Sequence, residues 1–141
     1  MNDADGLDFN ARNIAEFRGN GGLLGGRFEG APVLLLTTIG AKSGRARTSP
    51  MMYLPDGDRM IVFASNAGAD RNPGWYHNLR ARPSAMVEVG GETAHVRAVE
   101  IDGPEHDRLF AEQARRYPGF ADYQAKTDRI IPVVALTRSG E

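Results

Sequence analysis

The chain has 141 residues, 41% of them hydrophobic and 25% charged, and its formal net charge is -1. This profile is typical of one globular domain and argues against nucleic acid as a partner, because a net-negative domain attracts polyanions poorly. Cysteine is absent from the sequence, which excludes disulfides, thiolate metal sites and a cysteine nucleophile.

The N-terminal residues 1–30 are predicted to form a helix and a glycine-rich arm. Residues 1–8 carry acids and no apolar core, so they do not predict a secretory signal, and a cytoplasmic location is expected. Residues 10–18 are predicted as a short helix with an asparagine cap at its first residue and with Ile14 and Phe17 on one face. The glycines of 19–26 end this helix and are typical of a flexible arm rather than of a phosphate-binding loop.

The rest of the chain alternates irregularly between predicted strands and short helices. Strands are predicted at 33–39, 48–54, 59–64, 85–89, 92–101 and 131–137, and helices at 73–82, 104–116 and 121–126. Asn72 is the predicted cap of the first of these helices. Because the helices do not alternate regularly with the strands, we predict a mainly β, α+β fold, with residues 1–141 forming a single antiparallel barrel domain.

The turn after the first predicted strand concentrates positive charge. Between residues 31 and 55 there is no Asp or Glu, although acids make up 18 of the 141 residues, and the charged residues there are Lys42, Arg45 and Arg47. With the hydroxyl groups of neighbouring serines and threonines, these cations predict a site for phosphate or carboxylate oxygens. A solvated hairpin tip is the alternative, and the glycine spacing of a Walker loop is absent.

The segment 65–78 joins small, flexible residues to Trp75, the only tryptophan in the sequence, and to Tyr76. A loop of this kind lets the backbone approach a flat ligand closely, which suits a planar heterocycle. The alternative is that Trp75 and Tyr76 pack a helix onto the barrel, which is the commoner role of such residues.

Three aromatic residues, Tyr117, Phe120 and Tyr123, recur at spacings of three near the C-terminus. This spacing predicts one face of a helical turn, which either caps an apolar pocket for a flat acceptor or belongs to the core. Spacing alone favours the core.

The three histidines of the sequence show no metal-ligand spacing, so no metal site is predicted. A serine nucleophile is also disfavoured, because the Gly-x-Ser-x-Gly elbow is missing.

Taken together, these features resemble the deazaflavin (coenzyme F420)-dependent nitroreductase and quinone reductase family of actinobacteria. The matching segments are 34–47 (LLLTTIGAKSGRAR), 64–69, 72–79, 117–120, 123–124 and 127–132. They follow one another in family order over about residues 17–137. The resemblance implies an antiparallel split β-barrel of the FMN-binding type, like that of pyridoxamine-phosphate oxidase relatives.

The resemblance also implies which residues contact coenzyme F420. Lys42 and Arg47 would hold its phosphate and acidic tail, while segments 50–52 and 65–67 would line the deazaflavin ring. The full implied set is Lys42, Ser43, Arg47, Ser49, Pro50, Met51, Met52, Ser65, Asn66, Ala67, Trp75 and Asn78.

For the electron acceptor, the resemblance implies a site formed by Met52, Tyr117, Phe120 and Tyr123. Reduced F420 would pass a hydride to a quinone-like or other flat organic acceptor, with Ser65 or Tyr117 as the catalytic donor of a proton or hydrogen bond. A nitroimidazole-reducing relative carries aromatic residues at positions 52 and 120, the latter a tyrosine, and a lysine at position 66. Quinones are therefore expected in preference to nitroaromatics.

Two alternatives use the same barrel. One is a flavin enzyme that prefers FMN, and the other is a non-catalytic binder or carrier of F420, FMN, a tetrapyrrole or a fatty acid. Peripheral contact with a membrane, which would give access to lipid quinones, is left open, as is the choice between monomer and homodimer.

Overall fold

The structure, a computed structural model, describes residues 3–22 and 30–139, with side chains from residue 11 onward. Four helices are α1 (Asp3–Gly19), α2 (Gly74–Ala81), α3 (Gly103–Arg116) and α4 (Gly119–Ala125). Seven strands are β1 (Val33–Ile39), β2 (Ala46–Met52), β3 (Leu54–Asp56), β4 (Arg59–Phe63), β5 (Ser84–Val89), β6 (Glu92–Ile101) and β7 (Val133–Arg138). Within the described residues, no helix is long and apolar enough to span a membrane.

The strands form one antiparallel sheet in the order β2-β1-β5-β6-β7-β4-β3. Its two terminal strands, β2 and β3, are consecutive in the chain with only Tyr53 between them. The sheet must therefore curl until its two edges approach each other, as in a barrel. The predicted antiparallel barrel is confirmed. The predicted strand 48–54 bends at Tyr53 and becomes parts of two strands, which explains why seven are present instead of six.

The apolar run at the start of β1 is buried on both of its faces. Leu34 and Leu36 point into the barrel, where they pack against residues of β4, β5, β6 and β7 under a cap provided by α2. Val33 and Leu35 point to the other face, where Phe17 of α1 covers them. A strand buried on both faces reads as a continuous hydrophobic run, which is why this strand could be predicted with its observed bounds.

Helix α1 is longer than predicted, because it begins at Asp3 and not at Asn10. The predicted asparagine cap at residue 10 is therefore wrong. The helix ends at Gly19, as the glycines predicted. Arg18 then ties it to β5 through two hydrogen bonds to the Glu88 carboxylate, at 3.0 and 2.8 Å. Residues 23–26 of the predicted flexible arm lie outside the described residues.

The two elements between β6 and β7 cover the outer face of β3, β4 and β7. Leu109 of α3 and Phe120 of α4 pack there against Phe63 and Val133, with aromatic neighbours around them. The helices predicted at 104–116 and 121–126 are thus confirmed to within two residues at each boundary.

Candidate active site

The antiparallel order brings every predicted site segment except part of β2 to one end of the barrel. Strands β1, β4 and β6 run in one direction, whereas β5 and β7 run in the other. The chain therefore leaves β1, β4 and β6 at the same end. The turn 40–45, the loop 64–73 and the segment 102–132 consequently all lie there.

The turn 40–45 is held in shape by its own backbone. The Gly40 N–H donates to the Arg45 carbonyl at 2.8 Å, and the Gly44 N–H donates to the Gly40 carbonyl at 2.9 Å. A Cβ at Gly40 would lie 2.5 Å from Ser43 Oγ and 3.3 Å from the Arg45 carbonyl, so a larger residue there would displace the Ser43 hydroxyl and push the Arg45 carbonyl slightly away. Ser43 Oγ also accepts a hydrogen bond from the Arg45 N–H at 3.2 Å.

Three cations are exposed here, namely Lys42 and Arg45 in the turn and Arg47 at the start of β2. Within the part of the chain that the structure describes, none of them forms a salt bridge or a side-chain hydrogen bond. Unpaired cations that converge on one short turn attract anions more strongly than the same charges neutralised by carboxylates. The charge pattern seen in the sequence is therefore preserved in three dimensions.

Asn78 of helix α2 connects this helix to the turn and to strand β1 through its side-chain amide. Its side-chain oxygen accepts a hydrogen bond from the Ala41 N–H at 2.9 Å, and its amide nitrogen donates to Thr38 Oγ1 at 3.0 Å. Asn78 is 9% exposed and Thr38 is 1% exposed. Both polar atoms of the Asn78 side chain are therefore used inside the protein, which makes this residue a support for the turn.

Strand β2 divides its predicted coenzyme contacts between two faces. Met51 lies opposite Leu34, Ser49 opposite Leu36 and Arg47 opposite Thr38. Since residues opposite each other in an antiparallel pair share a face, the side chains at 47, 49 and 51 lie on the face of the barrel interior, where Trp75 also packs. Pro50 and Met52 lie on the other face. The outer edge of β2 is unpaired, because β2 pairs only with β1 among the described strands.

The loop that follows β4 contains three consecutive residues with positive φ: Asn66 at 47°, Ala67 at 55° and Gly68 at 82°. For Ala67 this conformation costs roughly 1–2 kcal/mol, because its Cβ crowds the neighbouring carbonyl. Gly68 is required for a second reason, since a Cβ there would lie 2.9 Å from the Tyr123 carbonyl of α4. A strained loop held against a helix is a feature that clusters at functional sites.

Arg129 organises this loop, and its role was missed in the sequence. Its guanidinium donates four hydrogen bonds: to the carbonyls of Ala69 (2.8 Å), Ala64 (3.0 Å) and Ser65 (2.7 Å), and to Asn72 Oδ1 (2.8 Å). Burial lowers the pKa of Arg129 below its ordinary value. The predicted helix cap at Asn72 is wrong, because this side chain accepts from Arg129 and α2 begins without a side-chain cap.

The four residues predicted to contact the acceptor belong to one cluster. Phe120 is 8% exposed and packs edge-to-face against Phe63, with ring centroids 5.7 Å apart, and against Tyr123, at 5.4 Å. Tyr117, Tyr123 and Met52 are partly buried around it. Phe120 is therefore a core residue, while the two tyrosines keep part of their surface accessible.

The hydroxyl groups of Ser65 and Tyr117, the two predicted catalytic donors, have no hydrogen-bond partner among the described residues. The Tyr76 hydroxyl, in contrast, donates to the Glu100 carboxylate at 2.8 Å. The pKa of Tyr76 is raised, mainly by burial and to a smaller extent by the hydrogen bond to this carboxylate. The described part of the chain holds no group of three His, Cys, Asp or Glu side chains suited to a metal.

A cavity of about 280 Å³ lies at the opposite end of the barrel, lined among others by Tyr53, Asp58, Arg59, Val89 and Arg138. None of the residues predicted to contact coenzyme or acceptor lines it. Chemistry and charge, and not cavity volume, therefore locate the candidate site.

A family model described as F420H(2)-dependent quinone reductase matches residues 10–138. An F420H(2)-dependent quinone reductase of Mycobacterium tuberculosis is 44% identical over 131 residues, which cover 88% of this chain and 86% of that protein. Further curated mycobacterial proteins of the same description match as well.

Solved structures give a consistent picture. An F420-H2 dependent reductase matches with a TM-score of 0.68 and 37% identity over 74% of this chain and 93% of that one. A domain-swapped dimer matches with a TM-score of 0.69 and 32% identity over 96% and 99% of the two chains. At 12% identity and a TM-score of 0.55, a Listeria innocua protein named as a pyridoxamine 5'-phosphate oxidase shares the fold alone, over 77% and 84% of the chains. The predicted split barrel is thereby confirmed.

Proposed function

The chain belongs to the F420H(2)-dependent quinone reductase family, and on this premise we propose that the turn 40–45, strand β2 and the loop 64–73 form its coenzyme site. The family's oxidoreductase activity, hydride transfer from reduced F420 to a quinone, confirms the function and the coenzyme predicted from the sequence.

The observation that carries the proposal is the unpaired positive turn. A coenzyme with a phosphate and an acidic tail needs cations that are not already neutralised, and Lys42, Arg45 and Arg47 meet this requirement because no described carboxylate pairs with them. When bound, reduced F420 supplies the hydride. The residues of the protein need only bind the coenzyme and the acceptor, orient them and shield them from water, because the reactivity for hydride transfer resides in the coenzyme.

We assign the anionic part of the coenzyme to Lys42 and Arg47, supported by Ser43 and Ser49. Trp75, Met51 and the unpaired edge of β2 would face the flat ring, whose polar edge can bond free backbone groups. The loop residues Ser65, Asn66 and Ala67 would approach the ring from the end of the barrel. Asn78 would act indirectly, by fixing the turn through Ala41.

We assign the acceptor to the cluster of Met52, Tyr117, Phe120 and Tyr123. The free hydroxyls of Ser65 and Tyr117 are the candidate donors to the acceptor oxygen that gains charge. A quinone is favoured over a nitroaromatic compound, because residues 66, 52 and 120 supply neither a cation nor a further hydroxyl.

The first experiment is a fluorescence titration with oxidised F420, with FMN as the competing ligand, followed by turnover of a soluble quinone. Lys42→Ala and Arg47→Ala should each weaken F420 binding by about 10- to 150-fold, the equivalent of one charge-assisted hydrogen bond. Arg97→Ala is the matched control, because it removes an exposed cation on β6 and should leave affinity unchanged. Tighter binding of FMN would refute the coenzyme assignment, and binding without turnover would indicate a carrier.

We also propose a cytoplasmic homodimer that meets lipid quinones by peripheral contact. The domain-swapped dimer at 32% identity supports the homodimer. Light scattering of the purified protein tests the dimer, and sedimentation with quinone-loaded vesicles tests the contact. A monomer, or a protein left in the supernatant, would refute the respective part.

A further inference from the structure

We infer that Arg129 is a positioning residue that aims two backbone N–H groups of the loop 64–73 at the coenzyme ring or at the oxygen that gains charge. The inference rests on the proposed function, because that proposal places the loop beside the ring. It assigns a role to segment 127–132, one of the segments that carry the family resemblance, which the coenzyme and acceptor assignments do not use.

The guanidinium of Arg129 donates to four acceptors of one loop. Its four hydrogen bonds reach the carbonyls of Ala64, Ser65 and Ala69 and the side chain of Asn72, at 2.7–3.0 Å. A guanidinium has five N–H donors. Four of them are used here, and the acceptors lie on a stretch of only nine residues, 64–72.

The direction of the carbonyls determines the direction of the neighbouring N–H groups. A trans peptide is planar, and its C=O and N–H point in opposite directions. Because the carbonyls of Ala64 and Ser65 point at Arg129, the N–H groups of Ser65 and Asn66 point away from it. Neither of these N–H groups donates to another backbone carbonyl among residues 3–22 and 30–139. They are two adjacent, free donors on the side of the loop that faces away from the guanidinium.

Arg129 is suited to this task and lysine is not. None of the four acceptors of Arg129 is charged. Asp70 raises the pKa of Arg129 by less than burial lowers it, and its carboxylate is not within salt-bridge distance. The positive charge therefore remains largely uncompensated while burial lowers the pKa of Arg129. The planar guanidinium of arginine can donate to four acceptors that lie apart from one another, whereas the ammonium group of lysine carries three donors on a single nitrogen atom.

Arg129 is itself held in place by α4. Gln124 Nε2 donates to the Arg129 carbonyl at 2.7 Å, and Gln124 Oε1 accepts from the Ile131 N–H at 3.1 Å. The Arg129 N–H donates to Thr127 Oγ1 at 3.2 Å. The Ala64 N–H donates to the Pro132 carbonyl at 2.9 Å and so keeps the loop beside this segment. The donor pair is thus connected through Arg129 to the helix that carries two acceptor residues.

The test compares Arg129→Lys and Arg129→Ala with the wild-type protein, with Arg71→Ala as the matched control. Arg71 lies in the same loop, is exposed and has no side-chain partner among the described residues. The first readout is hydrogen exchange of the coenzyme-free protein. Exchange at Gly68 and Ala69, whose N–H groups bond Ser65 and Asn66, should accelerate at least tenfold in both Arg129 variants but not in the control, while amides of β6 stay unchanged.

The second readout is function. The affinity for oxidised F420 and kcat should each fall about tenfold in Arg129→Lys, while the KM for the quinone changes less than twofold. Millimolar guanidinium should restore part of the activity of Arg129→Ala, which a merely structural defect would not show.

Wild-type exchange together with wild-type affinity in Arg129→Lys would overturn the inference. Faster exchange with unchanged F420 affinity and kcat would also overturn it, because the loop would then not present its donors to the coenzyme. If the wild-type protein itself does not bind F420, the proposed function fails, whereas the exchange measurement still decides whether Arg129 positions the loop.

Discussion

Replacing Asn78 by leucine should destabilise the protein through the two hydrogen bonds that fix the positive turn. The substitution keeps the size of the side chain but removes the bonds to Ala41 N–H and Thr38 Oγ1, at 2.9 and 3.0 Å. Each bond is worth about 1 kcal/mol net, and a buried polar group left without a partner costs about 1–3 kcal/mol.

The burial of the two partners determines the size of the effect. Thr38 is 1% exposed, so water cannot replace its lost partner, whereas Ala41 is exposed and its N–H can be hydrated. We therefore assign the larger penalty to Thr38 and expect Asn78→Leu to lower the free energy of unfolding by about 2–4 kcal/mol. Urea unfolding followed by circular dichroism measures this quantity.

A double-mutant cycle separates the Asn78–Thr38 bond from general damage. Thr38→Val removes the hydroxyl with little change of shape, so in combination with Asn78→Leu no orphaned group remains at position 38. The double variant should be more stable than the sum of the single effects by about 1–2 kcal/mol. The control pair is Asn78→Leu with Thr37→Val, since Thr37 bonds Thr48 and not Asn78. Additivity in the Thr38 cycle would refute the reasoning.

Two further effects follow from side chains on α3. Gln113 is 0% exposed and neither of its amide atoms has a partner among the described residues, so Gln113→Met should raise the free energy of unfolding by about 1–2 kcal/mol in urea. Gln124→Met is the opposite control, because its amide makes two hydrogen bonds and their loss should destabilise. Arg115 and Arg116 lower the pKa of Glu112 to about 2, and NMR titration of its carboxylate should show this value return towards 4.5 in the double arginine-to-alanine variant.

The sign of the Glu112 effect follows from linkage. Because the pKa in the folded state lies below the unfolded value, the stabilising contribution is present above about pH 4.5 and is lost as the pH falls towards 2. High salt should weaken it, since the carboxylate is partly exposed to solvent and therefore screened. An ordinary pKa for Glu112 in the wild-type protein would contradict this account. A Gln113→Met protein that is less stable than wild type would mean that the amide is bonded to buried water.

Local patterns in the sequence were sufficient for most elements of the fold. The run 33–39 predicted β1 with its observed bounds, and the strands predicted at 85–89 and 92–101 match β5 and β6 to within one residue. The absence of acids around Lys42 also survives folding, because no distant carboxylate returns to the turn within the described residues. Each of these signals is carried by residues close together in the chain.

The errors arose where a distant residue determines the local structure. Asn72 has the composition of a helix cap, but Arg129, far along the chain, takes its side-chain oxygen. The common spacing of Tyr117, Phe120 and Tyr123 correctly favoured the core, but it could not distinguish buried Phe120, which packs against Phe63, from the two partly exposed tyrosines. Arg129 itself carries no local signal, because a single arginine between two predicted elements is usually a solvated surface residue.

The order in which the strands pair has a consequence for folding kinetics. The β1–β2 and β5–β6 ladders close across short turns, but β4 pairs with β7 only after α2, β5, β6, α3 and α4 have intervened. Such distant pairing has a high contact order and is typical of folding in milliseconds to seconds. Arg129 lies shortly before β7, which begins at Val133, and its acceptors lie in the loop that follows β4. The hydrogen bonds from Arg129 to the loop can therefore form only once β4 has paired with β7. In refolding experiments, catalytic activity should return later than the β1–β2 and β5–β6 hairpins.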